Sequence, residues 1–568
     1  MRGLQVELDV PATMRDGTVL RANVYRPAGD GPWPVLLTRL PYGKDLALGT
    51  SSLDPVQAAR RGFMVVVQDT RGRFTSDGDW YPMVNEALDG VDTIAWAAGL
   101  PGSNGRVGMY GASYFGFTQW SAAVHAPPAL KAMAPFITWS EPLNGLFFRG
   151  GAIELGTAWS WNLNMGLDVA VRRHRDDRPA LGRALHTLAG DLDRLATEGY
   201  RSLPLEDFEP LARAGGHDHF QRVARADNDA SQFPEPRIAG LYDRVQAPAY
   251  IAGGWYDIFS QDTLDAYRAM RAAGKEAKLV MGPWTHGTQR DPVGELTYGF
   301  GASLAFIDLR ADFQTMQLRW FDHWLRDNDT GLLAEPPVKV FQMGANRWLE
   351  LSDWPPPSAP LELHLRAGGG LGQEVPPESE PPDAYDYDPA DPVPTRGGAL
   401  LMAAAFPAGP FDQWRIEERP DVLCYTSEPL GEDLAVAGQV AVRLWAASSA
   451  PDTDFVARLC DVHPDGRSFN LTDGILRARH RCMRTGEPPS PITPGRPYEY
   501  EIDLWSTCHV FRAGHRVRVQ VTSSNFPRWD RNLNTGEPPA GATRMEVAHQ
   551  TVFHDRDRPS RLVLPVQR

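Results

Sequence analysis

The stretch Val107-Gly108-Met109-Tyr110-Gly111-Ala112-Ser113-Tyr114-Phe115-Gly116 is an apolar run that leads directly into a glycine-flanked serine. A serine hydroxyl is a weak nucleophile unless the backbone presents it openly beside a base, and a tight strand-to-helix turn does this. Gly111 has no Cβ that could collide within such a turn. The stretch therefore predicts a strand, a turn and a helix, with Ser113 as a nucleophile. The general pattern G-x-S-x-G is not fully met, because its second glycine falls one residue late, at Gly116.

Strand and helix patterns alternate on both sides of this turn. Short, nearly continuous apolar runs are typical of strands that are covered on both faces. They occur at Val35-Leu36-Leu37-Thr38, Met64-Val65-Val66-Val67-Gln68, Ala249-Tyr250-Ile251-Ala252-Gly253-Gly254 and Ala277-Lys278-Leu279-Val280-Met281-Gly282. Helical patterns cover residues 52–61 and 85–98. This order predicts an α/β fold with a doubly wound, mostly parallel sheet.

The character of the chain changes twice along its length. The first change covers residues 143–238, within which residues 172–200 are rich in Arg, Ala, Leu and Asp at helical spacing and lack β-branched runs. This predicts a helical insertion over the sheet, a common place for a cap. After Trp354-Pro355-Pro356-Pro357, short alternating runs predict an antiparallel β sandwich or jelly roll. The acidic, proline-rich residues 374–394 predict an exposed loop. The expected domains are the first part of the core (1–143), the cap (144–240), the second part of the core (241–352) and a C-terminal β domain (353–568).

Composition excludes several classes of protein. A chain of 568 residues is too long for one hydrophobic core, so about two to four domains are expected. A net charge of −14 without a long basic run argues against nucleic acid or an anionic membrane as a partner. There is no apolar run of about 18 residues and no apolar N-terminal core, so we expect a cytoplasmic protein. The cysteines lack paired spacing and are expected to be reduced.

A short histidine motif, His217-Asp218-His219, is the one metal-like pattern. It has no further ligand at a recognisable spacing, which favours an exposed loop. We therefore expect no metal site.

Three predicted strands end in residues that suit nucleophilic catalysis. Ser113 follows the first, Asp257 lies in Gly253-Gly254-Trp255-Tyr256-Asp257, and His286 lies in Gly282-Pro283-Trp284-Thr285-His286. Reacting groups gather beyond the carboxyl ends of parallel strands. The order Ser, Asp, His matches the triad of α/β-hydrolases. His286 is expected to take the proton of Ser113, and Asp257 to orient the imidazole. Singly, Asp257 could cap a helix and His286 could be an ordinary loop histidine.

An acyl-transfer site also needs donors for the developing oxyanion. The backbone N–H of Tyr114, directly after the nucleophile, is the expected first donor. The second usually comes from the loop after an early strand, here Arg39-Leu40-Pro41-Tyr42-Gly43-Lys44. The phenol of Tyr42 is the obvious polar group in that loop. The alternative is a tyrosine that packs between loop and core.

The motifs together resemble the cocaine esterase (CocE/NonD) and X-Pro dipeptidyl-peptidase-like branch of the α/β-hydrolases. The resemblance runs nearly end to end, and its pattern G-x-S-Y-x-G accounts for Gly116. Its motifs are Pro41-Tyr42-Gly43-Lys44, Gln68-Asp69-Thr70-Arg71-Gly72, the segments of the three triad residues, Asp473-Gly474-Ile475-Leu476-Arg477-Ala478-Arg479 and Phe526-Pro527-Arg528-Trp529-Asp530-Arg531-Asn532-Leu533-Asn534-Thr535-Gly536. The resemblance implies a hydrolase core with a helical cap, a jelly-roll domain that helps wall the site, and Tyr42 as an oxyanion donor.

The substrate is less well defined by the sequence. Members of this branch cleave aromatic esters, α-amino-acid esters, β-lactam side-chain amides or X-Pro peptides, and a buried α-ammonium group needs carboxylates around it. The residues after the triad aspartate, Ile258-Phe259-Ser260-Gln261, carry no charge. This argues for an apolar acyl pocket. Candidate walls are Phe259, the cap residues Trp159 and Trp161, and Phe411, with plain core packing as the alternative.

The sequence thus predicts a serine carboxylesterase for hydrophobic or aromatic acyl esters that works through an acyl-enzyme and needs no cofactor. Its partner is a small ester, and a homo-oligomer is left open. An amidase or acylase, or an X-Pro dipeptidyl-peptidase-type activity, is the alternative within enzymes. A catalytically inert binding protein that uses the jelly roll is the alternative from another class.

Overall fold

A ten-stranded, mostly parallel sheet forms the centre of the molecule in a computed structural model, which describes residues 3–233, 236–308 and 311–567. Its strands, numbered along the chain, are β1 (Leu4–Thr13), β2 (Val19–Pro27), β3 (Trp33–Leu40), β4 (Met64–Asp69), β5 (Ser103–Ala112), β6 (Leu130–Phe136), β9 (Ala249–Tyr256), β10 (Ala277–Thr285), β11 (Val338–Gln342) and β12 (Arg347–Leu351). Their order is β1-β2-β4-β3-β5-β6-β9-β10-β11-β12. The inner pairs are parallel, whereas β1, β2 and β12 pair antiparallel at the edges.

Helices cover this sheet, as the alternating sequence pattern predicts. They are α1 (Pro55–Arg60), α2 (Glu86–Ala98), α3 (Tyr114–Ala123), α8 (Ser260–Ala272) and α9 (Phe313–Arg326). Every residue of β3, β4, β9 and β10 is buried, because both faces of these strands are covered. The predicted α/β-hydrolase core is confirmed.

A helical insertion separates β6 from β9. It contains the two-stranded hairpin β7 (Phe148–Arg149) and β8 (Ala152–Ile153), and the helices α4 (Leu155–Arg173), α5 (Arg178–Leu195), α6 (Glu209–Ala214) and α7 (His217–Ala226). No helix within the described ranges has the length and apolar character needed to cross a membrane. The residue boundaries that we expected for the two parts of the core, the cap and the β domain stay a prediction.

The C-terminal part is a β domain with an eleven-stranded sheet and one short helix, α10 (Trp414–Glu417). Its strands are β13 (Ser358–Arg366), β14 (Gly370–Gly372), β15 (Asp383–Tyr387), β16 (Leu423–Thr426), β17 (Leu434–Ser448), β18 (Asp454–Val462), β19 (Ser468–Arg477), β20 (Tyr498–Phe511), β21 (Arg516–Thr522), β22 (Ala548–Phe553) and β23 (Arg561–Gln567). Alternate residues point into a separate apolar core, among them Val517, Val519 and Val521. This alternation is the one that predicted a jelly roll.

We expected the acidic stretch 374–394 to be an exposed loop, but it contains strand β15. Tyr385 and Tyr387 stand on the same face of this strand and are buried in the β-domain core. Their hydroxyl groups bond with Ser523 (2.9 Å) and the carbonyl of Asn532 (3.0 Å). Two buried aromatic rings at alternate positions outweigh the acidic and proline-rich composition around them.

Buried charges join the β domain to the cap. The guanidinium of Arg528 lies 4.0 Å from the carboxylate of Glu154 in the cap and 2.5 Å from that of Asp473 in its own domain, and none of the three side chains is more than 4% exposed. Next to it, the indole N–H of Trp529 donates to Glu154 at 2.8 Å, and Asp530 accepts from the backbone N–H of Ile153 at 2.6 Å. Breaking a buried charge pair is costly, so these contacts hold the two parts in one arrangement. They lie in the two late motifs of the sequence.

Helix α3 packs so closely on the segment after β6 that position 116 has room only for glycine. A Cβ added at Gly116 would lie 2.5 Å from the Cβ of Thr138, whose hydroxyl donates to the carbonyl of Ser113 at 2.7 Å.

We expect Gly116→Ala to lower the free energy of unfolding by about 1–3 kcal/mol through overpacking. Urea denaturation followed by circular dichroism measures this. Gly182→Ala, in exposed helix α5 with nothing within 4 Å, is the matched control and should not destabilise. Equal effects of both variants would contradict the packing argument.

Candidate active site

Ser113 occupies a strained turn between β5 and α3. Its backbone has φ 56° and ψ −123°, a region that side-chain-bearing residues rarely adopt. The N–H of Ser113 donates to the carbonyls of Phe136 (2.9 Å) and Ile137 (3.1 Å), which tie the turn to the end of β6. Gly111 has φ +139°, and a Cβ there would lie 2.6 Å from the Cβ of Phe115. The strain is held by the packing around it, as is usual where a nucleophile is presented.

Asp257 and His286 meet Ser113 at the carboxyl ends of β9 and β10. His286 Nε2 lies 3.0 Å from Ser113 Oγ, and His286 Nδ1 lies 2.9 Å from Asp257 Oδ1. The Asp257 side chain is fully buried and also accepts the backbone N–H of Phe259 at 3.2 Å. The structure brings the three predicted residues into one hydrogen-bonded chain.

The loop that carries Tyr42 is anchored on both sides. The buried guanidinium of Arg73 donates to the carbonyl of Pro41 at 2.9 Å. Asp69 accepts the backbone N–H of Lys44 at 2.7 Å, and its other oxygen lies 3.8 Å from the Lys44 ammonium. Burial raises the pKa of Asp69 to about 6, against the opposing bond and charge of Lys44. At neutral pH the ionised carboxylate therefore holds the loop beside Ser113.

The phenol of Tyr42 is placed as a hydrogen-bond donor. Its oxygen accepts the indole N–H of Trp161 at 3.0 Å, so its own proton is free to point elsewhere. Burial, the largest effect, raises the pKa of Tyr42 to about 12, although the bonds with Trp161 and Ser113 lower it. The phenol keeps its proton at neutral pH and faces the Ser113 hydroxyl.

Tyr114 begins helix α3, so its backbone N–H lies in the first turn, where N–H groups have no intrahelical partner. Its side chain is buried and immobilised. The hydroxyl accepts the N–H of Met83 at 2.7 Å and donates to Glu86 at 2.9 Å. The ring stacks on Trp161 with centroids 6.3 Å apart. These contacts fix the start of the helix relative to the Tyr42 loop.

A pocket of about 490 Å³ opens beside Ser113. The residues that line it are Tyr42, Met83, Ser113, Trp139, Leu146, Phe147, Thr157, Ala158, Trp161, Asn162, His219, Phe220, Val223, Phe259 and Leu401. None of these is Asp, Glu, Lys or Arg. The rings of Trp139 and Phe259 are 4.9 Å apart, and Phe259 also meets the His286 imidazole edge-on at 5.4 Å. The pocket is an apolar, aromatic chamber that borders Ser113.

A second, wider cleft also borders Ser113, and its space of about 2520 Å³ includes open solvent. His286, Leu192 and Phe313 line it, and Tyr42, Ser113, Trp161 and Leu401 line both spaces. Ser113 therefore lines both the aromatic chamber and the wider cleft.

The predicted wall residues divide into two groups. Phe259 and Trp161 line the chamber, and their contact with substrate stays a prediction. Trp159 is a correction, because it is fully buried inside the cap and stacks on Phe208 at 3.9 Å, outside the walls of both spaces. Phe411 is a second correction. It lies among β-domain residues, where its N–H donates to Asn470 at 2.7 Å, and it also lines neither space.

Sequence reasoning missed several walls. Leu401, and not Phe411, is the β-domain residue that reaches the chamber. Trp139 follows the end of β6, a position at which functional residues of parallel sheets gather, so this signal was available. His217-Asp218-His219 begins helix α7 and does not form a loop, and His219 is buried in the chamber wall. Only the packing of α7 onto the core shows this.

A doubly wound sheet with a hydrogen-bonded Ser–His–Asp chain at its carboxyl edge defines the class of serine hydrolases. Residues 16–288 match the X-Pro dipeptidyl-peptidase (S15) family, and residues 330–563 match the X-Pro dipeptidyl-peptidase C-terminal non-catalytic domain. A protein of Rhodococcus sp. (strain MB1 Bresler) named cocaine esterase is 38% identical, over 99% of this chain and 98% of its own length. The chain belongs to this cocaine esterase-like (CocE/NonD) family of serine esterases.

Two solved structures are similar over the whole chain. An α-amino acid ester hydrolase has a TM-score of 0.78 at 27% identity, covering 100% of this chain and 97% of its own. An aminopeptidase from a marine sediment Thaumarchaeota archaeon has a TM-score of 0.76 at 27% identity, covering 100% and 96%. Relatives of one architecture thus have names that refer to different acyl substrates, so the chamber of this chain must be considered by itself.

Proposed function

We propose that this protein is a carboxylesterase that hydrolyses esters of hydrophobic or aromatic acids, with Ser113, His286 and Asp257 as its catalytic triad. One observation carries the proposal. The hydrogen-bonded chain from Asp257 through His286 to Ser113 ends at an aromatic chamber whose lining residues include no Asp or Glu. The acyl group occupies the chamber, and the alcohol leaves through the wider cleft.

Ser113 Oγ attacks the ester carbonyl while His286 Nε2 takes its proton. Asp257 keeps the Nδ1–H tautomer of His286 and stabilises the imidazolium that forms. The imidazolium then gives the proton to the departing alkoxide, which leaves as the alcohol, and an acyl-enzyme remains. Water enters by the open cleft, gives its proton to His286 and attacks the acyl carbon. Ser113 then recovers its proton as the acid leaves.

Two donors receive the negative charge that develops on the carbonyl oxygen. One is the backbone N–H of Tyr114 at the start of α3, where the helix end favours an anion. The other is the Tyr42 phenol, whose oxygen already accepts from Trp161 and whose proton is held by burial. Donors that are fixed before the reaction begins need no reorganisation when the charge appears.

The chamber favours a neutral acyl group. An α-ammonium group placed there would lose its hydration without a carboxylate to pair with, at a cost of several kcal/mol. The α-amino acid and X-Pro peptide substrates named for relatives carry such a group. Imidazole, amide and hydroxyl groups are the polar groups of the walls, contributed by His219, Asn162 and Thr157. These can hydrogen-bond a neutral acid but give no fixed countercharge.

We further propose that the enzyme acts in the cytoplasm on a small ester and does not bind nucleic acid. A net charge of −14 supports the second point, since a phosphate backbone would be repelled. Cys424, Cys460, Cys482 and Cys508 are all free thiols, which agrees with a reducing compartment.

Ser113→Ala tests the nucleophile. We expect kcat/KM for p-nitrophenyl butyrate to fall by about 10⁴-fold or more, because the variant lacks the Oγ on which the acyl-enzyme would form. The matched control is Ser121→Ala in helix α3, which begins directly after Ser113; the Ser121 hydroxyl donates to the carbonyl of Phe117 at 2.9 Å. The control should keep near-normal turnover. Near-normal hydrolysis by Ser113→Ala, or labelling of this variant by a fluorophosphonate, would contradict the assignment.

Tyr42→Phe tests the phenol as an oxyanion donor. Losing one donor should lower kcat by about 10²–10³-fold with a smaller change in KM, because the bond is made in the transition state. Tyr110→Phe is the control, since the Tyr110 hydroxyl is buried and has no hydrogen-bond partner among the described residues. A Tyr42→Phe enzyme with unchanged kcat would show that this tyrosine serves only packing.

The nature of the acyl group is tested with a matched pair of p-nitrophenyl esters, phenylacetate and phenylglycinate, which differ by one ammonium group. We expect kcat/KM to be at least about 10²-fold lower for phenylglycinate, because the ammonium would be buried unpaired. Phenylacetyl p-nitroanilide, assayed in parallel, compares ester with amide. Preference for phenylglycinate would favour an α-amino-ester hydrolase, and comparable anilide turnover would favour an acylase.

A further inference from the structure

Two histidines face each other at one end of the β domain. His463 directly follows β18, and His515 directly precedes β21. These strands pair antiparallel, with Val462 opposite Arg516, so the register places His463 opposite His515. The two rings have centroids 4.5 Å apart. Cross-strand neighbours on one face can act on the same ligand.

Asp461 lies between these imidazoles. It stands two residues before His463 and therefore on the same face of the strand. Asp461 Oδ1 lies 2.8 Å from His515 Nδ1, and Asp461 Oδ2 lies 3.7 Å from His463 Nε2. One ligand atom from each of the three residues falls within 4.8 Å of the others. We call Asp461, His463, His509 and His515 the β-domain histidine cluster.

His509 orients the carboxylate from behind. Its Nε2 lies 3.1 Å from Asp461 Oδ2, and both side chains are about 95% buried. With Oδ2 held in this way, Oδ1 points at the His515 ring. Side chains that orient a ligand by a second hydrogen bond are typical of metal sites.

We propose that the β-domain histidine cluster binds one Zn²⁺ ion through Asp461 Oδ1, His463 Nε2 and His515 Nδ1, with His509 as the positioning residue. Ligand atoms around tetrahedral zinc lie about 2.0–2.2 Å from the ion, and hence about 3.3–3.5 Å from each other. Asp461 and the two imidazoles already hold one ligand atom each within 4.8 Å of one another, so side-chain rotations close to the present geometry bring them around one ion. On binding, His515 gives up its Nδ1 proton or carries it on Nε2 instead, since a ligating nitrogen must be unprotonated.

The chemistry of the donors selects the ion. Two imidazoles with one carboxylate suit Zn²⁺ and similar transition metals, whereas Mg²⁺ and Ca²⁺ prefer sites made of oxygen. The side chains of His463 and His515 are 24% and 15% exposed, so an ion can enter and water can complete the coordination. None of the four residues lines either space beside Ser113. The site is therefore separate from the ester-cleaving residues, and we expect it to stabilise the β-domain hairpins.

Zinc binding is measured on the full-length protein after treatment with EDTA and dialysis, by titration calorimetry with ZnCl₂ and by metal analysis of the dialysed sample. We expect one Zn²⁺ per chain and a higher Tm with zinc. His515→Gln and His463→Gln should abolish this binding, and His509→Gln should weaken it about 10–100-fold. MgCl₂ should give no binding heat.

His549→Gln is the matched control. His549 lies 2.9 Å from Asp386 in an exposed pair of the same domain, without a second imidazole, so its loss should leave zinc binding unchanged. The variants' Tm without zinc and their circular dichroism report whether they fold. Wild-type protein that takes up no zinc, or folded His515→Gln that binds zinc as tightly as wild type, would overturn the proposal. Ester hydrolysis is scored separately and should be unaffected by His515→Gln.

Discussion

The structure depends above all on the strained backbone at Ser113. A residue with a side chain at φ 56° stays there only if its surroundings leave no alternative. Here the end of β6 accepts its N–H, Thr138 donates to its carbonyl, and Gly111 and Gly116 leave room for Phe115 and Thr138. The same turn exposes the hydroxyl to His286 and starts helix α3 with its free N–H groups. The proposed nucleophile, its contact with His286 and the proposed anion site therefore all depend on one turn.

Around this turn, distant parts of the chain converge. The core supplies the triad and the Tyr42 loop, the cap supplies Trp161 and the walls of α7, and the β domain supplies Leu401. Trp161 links them, because its indole N–H holds the Tyr42 oxygen while its ring stacks on Tyr114. The buried contacts of Arg528 and Trp529 with Glu154, and of Asp530 with the backbone of Ile153, hold the cap and the β domain together. The contacts that hold the core, the cap and the β domain together therefore also determine the shape of the pocket.

Much of the core could be predicted from the sequence, because strands covered on both faces are continuous apolar runs and reacting groups follow their carboxyl ends. Ser113, Asp257 and His286 could be found in this way. The walls were harder to predict. Trp159 and Trp161 are two residues apart on α4, yet one points into the cap and the other into the chamber. Likewise, Phe411 was the predicted wall residue of the β domain, but Leu401 is the residue of this domain that lines the chamber. A ring in a helix or loop gives no sequence signal for which of two apolar spaces it enters.

The sequence by itself indicated a serine hydrolase, since the succession of strands along the chain and the residues that follow each strand are local features that it encodes directly. It also determined the family, through motifs that run the length of the chain. Only the tertiary structure decided what the chamber accepts and where the other polar clusters form. His463 and His515 are far apart in sequence, and a pairing register between β18 and β21 brings them face to face. Contacts between distant segments depend on how whole layers pack, and no local pattern records that.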